Sequence, residues 1–157
     1  MREILFRGKR TDNGEWVEGY YMCIGGKYHY ILAGKIDLTR GYTEPIKYPV
    51  DPETIGQFTG MTDMKGQKIF EGDILQAKVN EYAREDSSFW GKQKLRTGNK
   101  INAVWSVEHK VFNTYAGYMV YGKDRRFHRL LTHSVIINAD CEVIGNVHDN
   151  PDLLEGE

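Results

Sequence analysis

Two glycine-containing dipeptides, Asn13-Gly14 and Gly25-Gly26, divide the start of the chain into three short stretches in which apolar and polar residues roughly alternate. Asparagine and glycine tolerate the positive φ angles that two-residue hairpin turns require. Aromatic residues, which favour strands, crowd the stretches on both sides of these turns. The pattern therefore predicts a three-stranded antiparallel meander near the N-terminus.

The remainder of the chain is also richer in strand signals than in helix signals. Stretches such as IGQFTGM and CEVIGNV read as short strands, and they follow one another at close spacing. A chain of 157 residues is long enough for one domain, or for a small barrel with an additional β layer. The sequence therefore predicts an all-β fold built as a barrel or a sandwich.

A few segments depart from this strand pattern. Asp51 and Pro52 predict a brief helical turn, and Pro151 predicts another near the C-terminus. The stretch FHRLLTHSV is compatible with either one helical turn or a strand. Residues 80–100 are polar and only weakly periodic, so they are interpreted as an insertion between strands.

The central stretch FTGMTDMKGQKIFEGDIL raises the question of an active site, because charged residues surround its glycines. A catalytic interpretation of Asp63, Glu71 and Asp73 would need two carboxylates that converge on one site. The spacing matches neither paired carboxylates on a helix nor a calcium-binding loop. Aspartate and glycine are, however, typical turn residues. The structural-turn interpretation therefore takes precedence, and it covers Asp63, Gly66, Gly72 and Asp73.

No metal site or cofactor is expected. The histidines form no HExxH or HxH motif, and no GxGxxG or GxxxxGK phosphate loop occurs. The two cysteines, Cys23 and Cys141, are far apart and are interpreted as reduced thiols. A nucleophilic pair of Cys141 with His148 stays open, but Cys141 precedes an apolar strand and is more typical of a packed residue. We therefore expect a protein that is not an enzyme.

Charge is distributed unevenly, although the net charge is only −1. Residues 1–77 carry −1, residues 78–129 carry +6 and residues 130–157 carry −6. A basic middle segment can form a face that binds a polyanion. It can equally attract the acidic end of the chain, within the fold or between subunits.

Cations and aromatic residues interleave in the basic middle segment, as a site that neutralises phosphates and stacks on bases would need. A solvated charged loop, or a basic patch that meets the acidic tail of a neighbouring subunit, would give the same pattern. The residues of the nucleic-acid hypothesis are Lys92, Lys94, Arg96, Lys100, Arg125, Arg126, Arg129, Trp90 and Phe127.

The sequence offers no signal for a membrane or for export. No run of about 18 apolar residues occurs, which predicts the absence of a transmembrane helix. The charged start MREILFRGKR lacks the apolar segment of a signal peptide. We therefore expect a cytoplasmic protein.

Three stretches carry a family resemblance: ILFRGKRTDNGEWVEGYY near the start, TIGQFTGMTDMKGQKIFEGDIL in the middle and EVIGNVHDNPDLLE at the end. In the same order and at sensible spacing, they resemble the YopX proteins of bacteriophages and prophages. The resemblance implies an SH3-like β-barrel joined to additional β structure. It implies no catalytic residue, because none is assigned to the family and its function is unknown. Gly72 and Asp73 would then turn the chain into a strand.

Residues and resemblance together predict a meander and connection over 1–50, an SH3-like barrel over 51–150 that carries the polar insertion near 80–100, and an acidic tail over 151–157. The predicted function is that of a phage-encoded, non-enzymatic, self-associating binding module in the cytoplasm of a bacterial host. Two alternatives stay open: nucleic-acid binding by the basic middle segment, and an enzyme with a site formed between subunits. Expected partners are a second copy of the chain, and either a nucleic acid or another protein.

Overall fold

Antiparallel strands dominate the structure, so the predicted all-β class is confirmed. The strands belong to two compact units, Met1–Thr62 with Lys68–Gly72 and Asp63–Gln67 with Asp73–Glu157. The computed structural model describes residues 4–34, 46–88, 91–111, 116–123 and 128–155, and it describes 81–88, 91–98 and 116 by their backbone alone.

The first unit contains one six-stranded sheet. Its strands are β1 Phe6–Lys9, β2 Trp16–Ile24, β3 Tyr28–Ala33, β4 Ile46–Pro49, β5 Gly56–Thr62 and β6 Lys68–Phe70. They lie in the order β4-β3-β2-β1-β5-β6, and each strand is antiparallel to its neighbours. Gly14, Gly25 and Gly26 adopt positive φ angles of 75°, 61° and 68° in the two predicted turns. Local turn chemistry therefore fixes the first two hairpins.

Close packing in this sheet depends on aromatic residues and on one glycine. The rings of Phe58 and Phe70 lie 5.5 Å apart between centroids, and together with Leu5 they form a buried cluster. Gly19 lies against β3, where an added Cβ would come within 2.1 Å of the carbonyl oxygen of Leu32. Any side chain at this position would therefore force the two strands apart.

The second unit contains one five-stranded sheet and a short helix. Its elements are β7 Asp73–Ser88, β8 Gly91–Val111, β9 Ala116–Gly122, β10 His128–Leu130, α1 His133–Asn138 and β11 Glu142–Asn146. The strand order is β10-β9-β8-β7-β11, again with antiparallel pairs. The stretch that was compatible with helix or strand supplies both β10 and α1. Thr132 caps α1 by accepting a hydrogen bond from the amide of Val135 at 3.2 Å.

The polar segment that was interpreted as an insertion forms the far part of the β7–β8 hairpin, where residues 80–88 pair with residues 91–100. The core of the second unit lies at the other end of this hairpin and includes Trp105, Ile74, Leu75, Val107 and Val120. Apolar side chains therefore anchor one end of the long hairpin.

Two 3₁₀ turns lie where proline predicted them. Pro52–Thr54 is capped by the Asp51 carboxylate, which accepts from the amide of Glu53 at 3.0 Å. Pro151–Leu153 forms the other turn.

Within the described ranges neither sheet closes into a barrel. In the same ranges no helix has the length and apolar character needed to cross a membrane.

Asp63 organises the turn between β5 and β6. This turn, Asp63–Gln67, belongs to the second unit. The Asp63 carboxylate accepts hydrogen bonds from the amides of Lys65 and Gln67, both at 2.8 Å, and from the amide of Val143 at 3.0 Å. Gly66 takes a positive φ of 83° within this turn. One buried carboxylate therefore both closes the turn and attaches it to β11.

We predict that Asp63→Asn lowers the free energy of unfolding by about 3 kcal/mol. The substitution replaces one carboxylate oxygen with an NH₂ group, which cannot accept a hydrogen bond from a backbone amide. Urea unfolding followed by circular dichroism measures the change. Asp12→Asn is the matched control, since Asp12 is exposed and pairs with Arg10 at the surface. Equal unfolding midpoints for both variants would contradict the role given to Asp63.

Candidate functional site

A pocket of about 460 Å³ opens in the second unit, where β7 and β8 leave the rest of the sheet. Strands β7, β8 and β10 contribute to its walls, and α1 closes another side. Its lining consists of Lys78, Val79, Asn80, Lys100, Trp105, Arg129, Thr132, Ser134, Val135, Asn138 and Ala139.

Three cations from three different strands line this pocket. Lys78 lies on β7, Lys100 lies on β8 and Arg129 lies on β10. Backbone pairing positions two of them, because Lys100 lies opposite Asn80 and Arg129 lies opposite Val120. All three cationic residues are exposed. An anion that enters the pocket would therefore meet positive charge from several sides.

Asp140 is the carboxylate that opposes these cations. It forms an ion pair with Lys78, and the amide of Lys78 also donates to the carbonyl of Ala139 at 2.6 Å. The hydrogen bond from Lys78 lowers the pKa of Asp140, and the charges of Lys78, Lys100 and Lys65 lower it further. Conversely, the bond to Asp140 raises the pKa of Lys78.

Both partners of this pair are consequently charged at neutral pH. Three lining cations and one adjoining carboxylate leave a net charge of +2 around the pocket. Asp140 also adopts a positive φ of 47°, a conformation that aspartate and asparagine tolerate better than most residues. An incoming anion has to compete with Asp140 for Lys78.

The remaining lining is divided between neutral polar groups and an apolar floor. Asn80, Ser134 and Asn138 can donate and accept hydrogen bonds. Trp105 is only 2% exposed, so its indole closes the floor but does not offer a free face for stacking. The pocket is therefore suited to a charged group with polar substituents more than to an apolar ligand.

The thiol of Cys141 lies nearby but is poorly suited to nucleophilic chemistry. Cys141 is fully buried, and burial raises the pKa of its thiol to about 11, with a further contribution from the charge of Asp140. At neutral pH the group is a neutral thiol, which is not the nucleophilic form. Among the described residues, no group of three or more His, Cys, Asp or Glu side chains could hold a metal ion.

The turn residues lie at the two ends of short strands. Asp63 and Gly66 form the β5–β6 turn, and Gly72, with a φ of 83°, directly precedes β7. Asp73 begins β7, is fully buried and lies opposite Asn146 of β11. In this arrangement Asp63 stands at a hairpin turn and Asp73 at the start of a strand, and both lie beside β11.

The residues of the nucleic-acid hypothesis fall into three groups. Lys100 and Arg129 line the pocket, although 29 positions separate them in the sequence. The backbone positions of Lys92, Lys94 and Arg96 lie on β8. Outside the described residues lie Trp90, Arg125, Arg126 and Phe127.

Lys78 was missed by the sequence analysis, as were the polar groups of Asn80, Ser134 and Asn138. Lys78 is the first cation of the basic middle segment, so the charge count includes it without singling it out. The polar groups carry no sequence signal of their own. Only the fold brings α1 beside β7 and β8.

Comparison with known proteins identifies the family. A search of curated proteins found no match. The family model described as YopX protein matches residues 5–155, which is almost the whole chain. The resemblance seen in three sequence stretches thus extends across the segment between them. The chain belongs to the YopX family.

Proposed function

We propose that this protein is a non-enzymatic binding module whose second unit binds nucleic acid at the basic pocket. The observation that supports the proposal best is the convergence of Lys78, Lys100 and Arg129 on one cavity. The cavity volume of about 460 Å³ falls within the usual range of ligand pockets. Such a site suits a phosphate group with the polar sugar and base edges attached to it.

A phosphate is favoured over other anions by both the local and the wider charge distribution. Arginine can bind a phosphate through two parallel hydrogen bonds, and lysine adds a compact positive charge. The basic charge continues from the pocket along the chain, because residues 78–129 carry +6. A polymeric ligand with many phosphates could use this additional charge, whereas a small anion could not.

The biological setting belongs to the same proposal. The resemblance to phage and prophage proteins supports a role in the cytoplasm of a bacterial host. An SH3-like barrel preceded by a meander stays the finer prediction for the fold. The absence of catalysis is likewise proposed, and the high pKa of the Cys141 thiol is consistent with it.

Reversing the charge of the pocket should weaken nucleic-acid binding. We expect the double variant Lys100→Glu/Arg129→Glu to lose about tenfold or more in affinity at low salt and to show a flatter salt dependence, because fewer phosphates are neutralised. Fluorescence anisotropy with labelled single- and double-stranded DNA and RNA, at roughly 50 and 200 mM salt, measures both quantities.

The matched control is Lys27→Glu/Lys47→Glu, which makes the same change in net charge on exposed residues of the first unit. Binding that weakens equally in both double variants would indicate a general charge effect. Binding that is unchanged in Lys100→Glu/Arg129→Glu would remove the pocket from consideration.

Removing the competing carboxylate should have the opposite effect. We expect Asp140→Asn to raise nucleic-acid affinity by about threefold, because it releases Lys78 and adds one unit of positive charge. Asparagine keeps the shape of the side chain and tolerates the positive φ angle. Asp12→Asn, which makes the same change in charge next to Arg10 in the first unit, is the control in the same anisotropy assay. An affinity that is unchanged or lower in Asp140→Asn would contradict the competition between Asp140 and the ligand.

Self-association is a second proposal, and an exposed apolar face of the first sheet supports it. Backbone pairing aligns Tyr20 with Leu32, Met22 with Tyr30 and Ile24 with Tyr28 on the same face of the β2–β3 hairpin. Tyr20, Ile24 and Tyr28 are 64%, 48% and 54% exposed, and the other three residues are half-buried. Polar residues usually occupy the solvent side of an antiparallel sheet.

A second copy of the chain would bury this face. We expect a molar mass of at least twice 18.1 kDa by light scattering after size-exclusion chromatography. Tyr20→Ser/Tyr28→Ser should shift the protein toward the monomer, because the variant loses two exposed rings of this face. Val111→Ser, which replaces an apolar residue that is 75% exposed in the second unit, should not. A wild-type protein that is strictly monomeric would contradict the proposal.

A further inference from the structure

The far part of the β7–β8 hairpin is a two-stranded ribbon. Among the described strands, β11 pairs with β7 only through residues 73–76, and β9 pairs with β8 only through residues 105–111. Beyond these points residues 80–88 of β7 and 91–100 of β8 pair with each other. Nine residues of extended chain span roughly 30 Å. The ribbon starts at the pocket, because Asn80 and Lys100 pair with each other in the ribbon and also line the pocket.

The two strands of the ribbon differ in charge. Residues 91–107 of β8 contain four basic residues and no acidic residue. Residues 80–88 of β7 contain three acidic residues and one arginine. Backbone pairing also aligns Lys94 with Glu85. The positive charge of the ribbon is therefore concentrated on β8, on the strand that leads to Lys100.

We propose that a single strand of nucleic acid lies along β8, with one phosphate in the pocket between Lys100 and Arg129. This inference rests on the proposed nucleic-acid binding and specifies its ligand class. The residues that would follow the phosphate backbone are Lys92, Lys94, Arg96, Lys100 and Arg129.

The charge asymmetry of the ribbon selects a single strand over a duplex. A ribbon that enters a groove of double-stranded DNA has a line of phosphates on each side. Strand β7, which carries Glu81, Glu85 and Asp86, would then lie beside one of these lines, and its negative charge would repel the phosphates. A single strand carries one line of phosphates and needs only one line of cations. The acidic residues of β7 belong to the other strand of the ribbon, where Glu85 is the one that pairs with a cation of the proposed site, Lys94.

We call the row of cations on β8 from Lys92 to Lys100 the single-strand track. Its length sets the expected size of the site. Lys92 and Lys100 are eight residues apart on β8, which corresponds to roughly 25 Å of extended chain. Single-strand binding domains of similar extent cover about 4–16 nucleotides. One phosphate at each of Lys92, Lys94 and Arg96 and one in the pocket make four neutralised phosphates. Four predict a slope of about −2.8 in a plot of log affinity against log salt concentration for a single strand.

The test uses 5′-fluorescein-labelled oligo(dT) of 4 to 20 nucleotides, a duplex of 20 base pairs and the full-length protein. We expect affinity to rise with oligonucleotide length and then level off, and we expect the single strand to bind more tightly than the duplex. In Lys92→Gln/Lys94→Gln/Arg96→Gln the salt slope should become less steep by about 2, because three phosphate contacts are lost. The matched variant is Glu81→Gln/Glu85→Gln/Asp86→Asn, which should improve duplex binding by a larger factor than single-strand binding.

The outcomes distinguish a failure of the single-strand track from a failure of nucleic-acid binding at the pocket. If no oligonucleotide binds to the wild-type protein at about 50 mM salt, both the nucleic-acid function and the single-strand track are wrong. Suppose that Lys100→Glu/Arg129→Glu abolishes binding while Lys92→Gln/Lys94→Gln/Arg96→Gln binds as the wild type does. The pocket is then a nucleic-acid site, and the inference of a single-strand track on β8 is wrong. A preference of the wild-type protein for the duplex would also overturn the track, whatever the variants do.

Discussion

The antiparallel pairing of β7 with β8 is the interaction on which the second unit depends. It runs from Ile74 opposite Ser106 to Ser88 opposite Gly91, and it forms both the centre of the five-stranded sheet and the ribbon beyond it. Buried Trp105, Ile74 and Leu75 anchor the pairing at the sheet end. The same register brings Lys100 opposite Asn80, so the position of the pocket follows directly from the alignment of these two strands.

Part of this architecture follows from local sequence. Glycine dipeptides indicated the turns of the first sheet, and Asp51 with Pro52 indicated a capped helical turn, because these features depend on neighbouring residues alone. Residues 80–100 gave no strand signal because, in the described structure, no third strand pairs with this stretch. Hydrophobic periodicity reports burial, and a polar two-stranded ribbon lacks the alternation that marks a half-buried strand.

The candidate site was less accessible to sequence reasoning than the fold. Lys100 and Arg129 drew notice because the middle of the chain is basic, but their convergence depends on strands that lie far apart in the sequence. No sequence pattern marked Lys78, which lies within an apolar strand. Asp140 could not be recognised as its partner, since 62 positions separate them. The acidic end of the chain accordingly contributes at least one carboxylate to the basic pocket, a contact within the fold that the charge pattern had left open.

Photocrosslinking would locate the contact between nucleic acid and the second unit without altering the protein. A fluorescent oligo(dT) that contains 5-iododeoxyuridine would be irradiated with the wild-type protein, and the crosslinked peptides would be identified by mass spectrometry. We expect crosslinks within residues 78–105 and 128–139. Crosslinks confined to the first unit, in residues 4–34 or 46–62, would contradict this expectation.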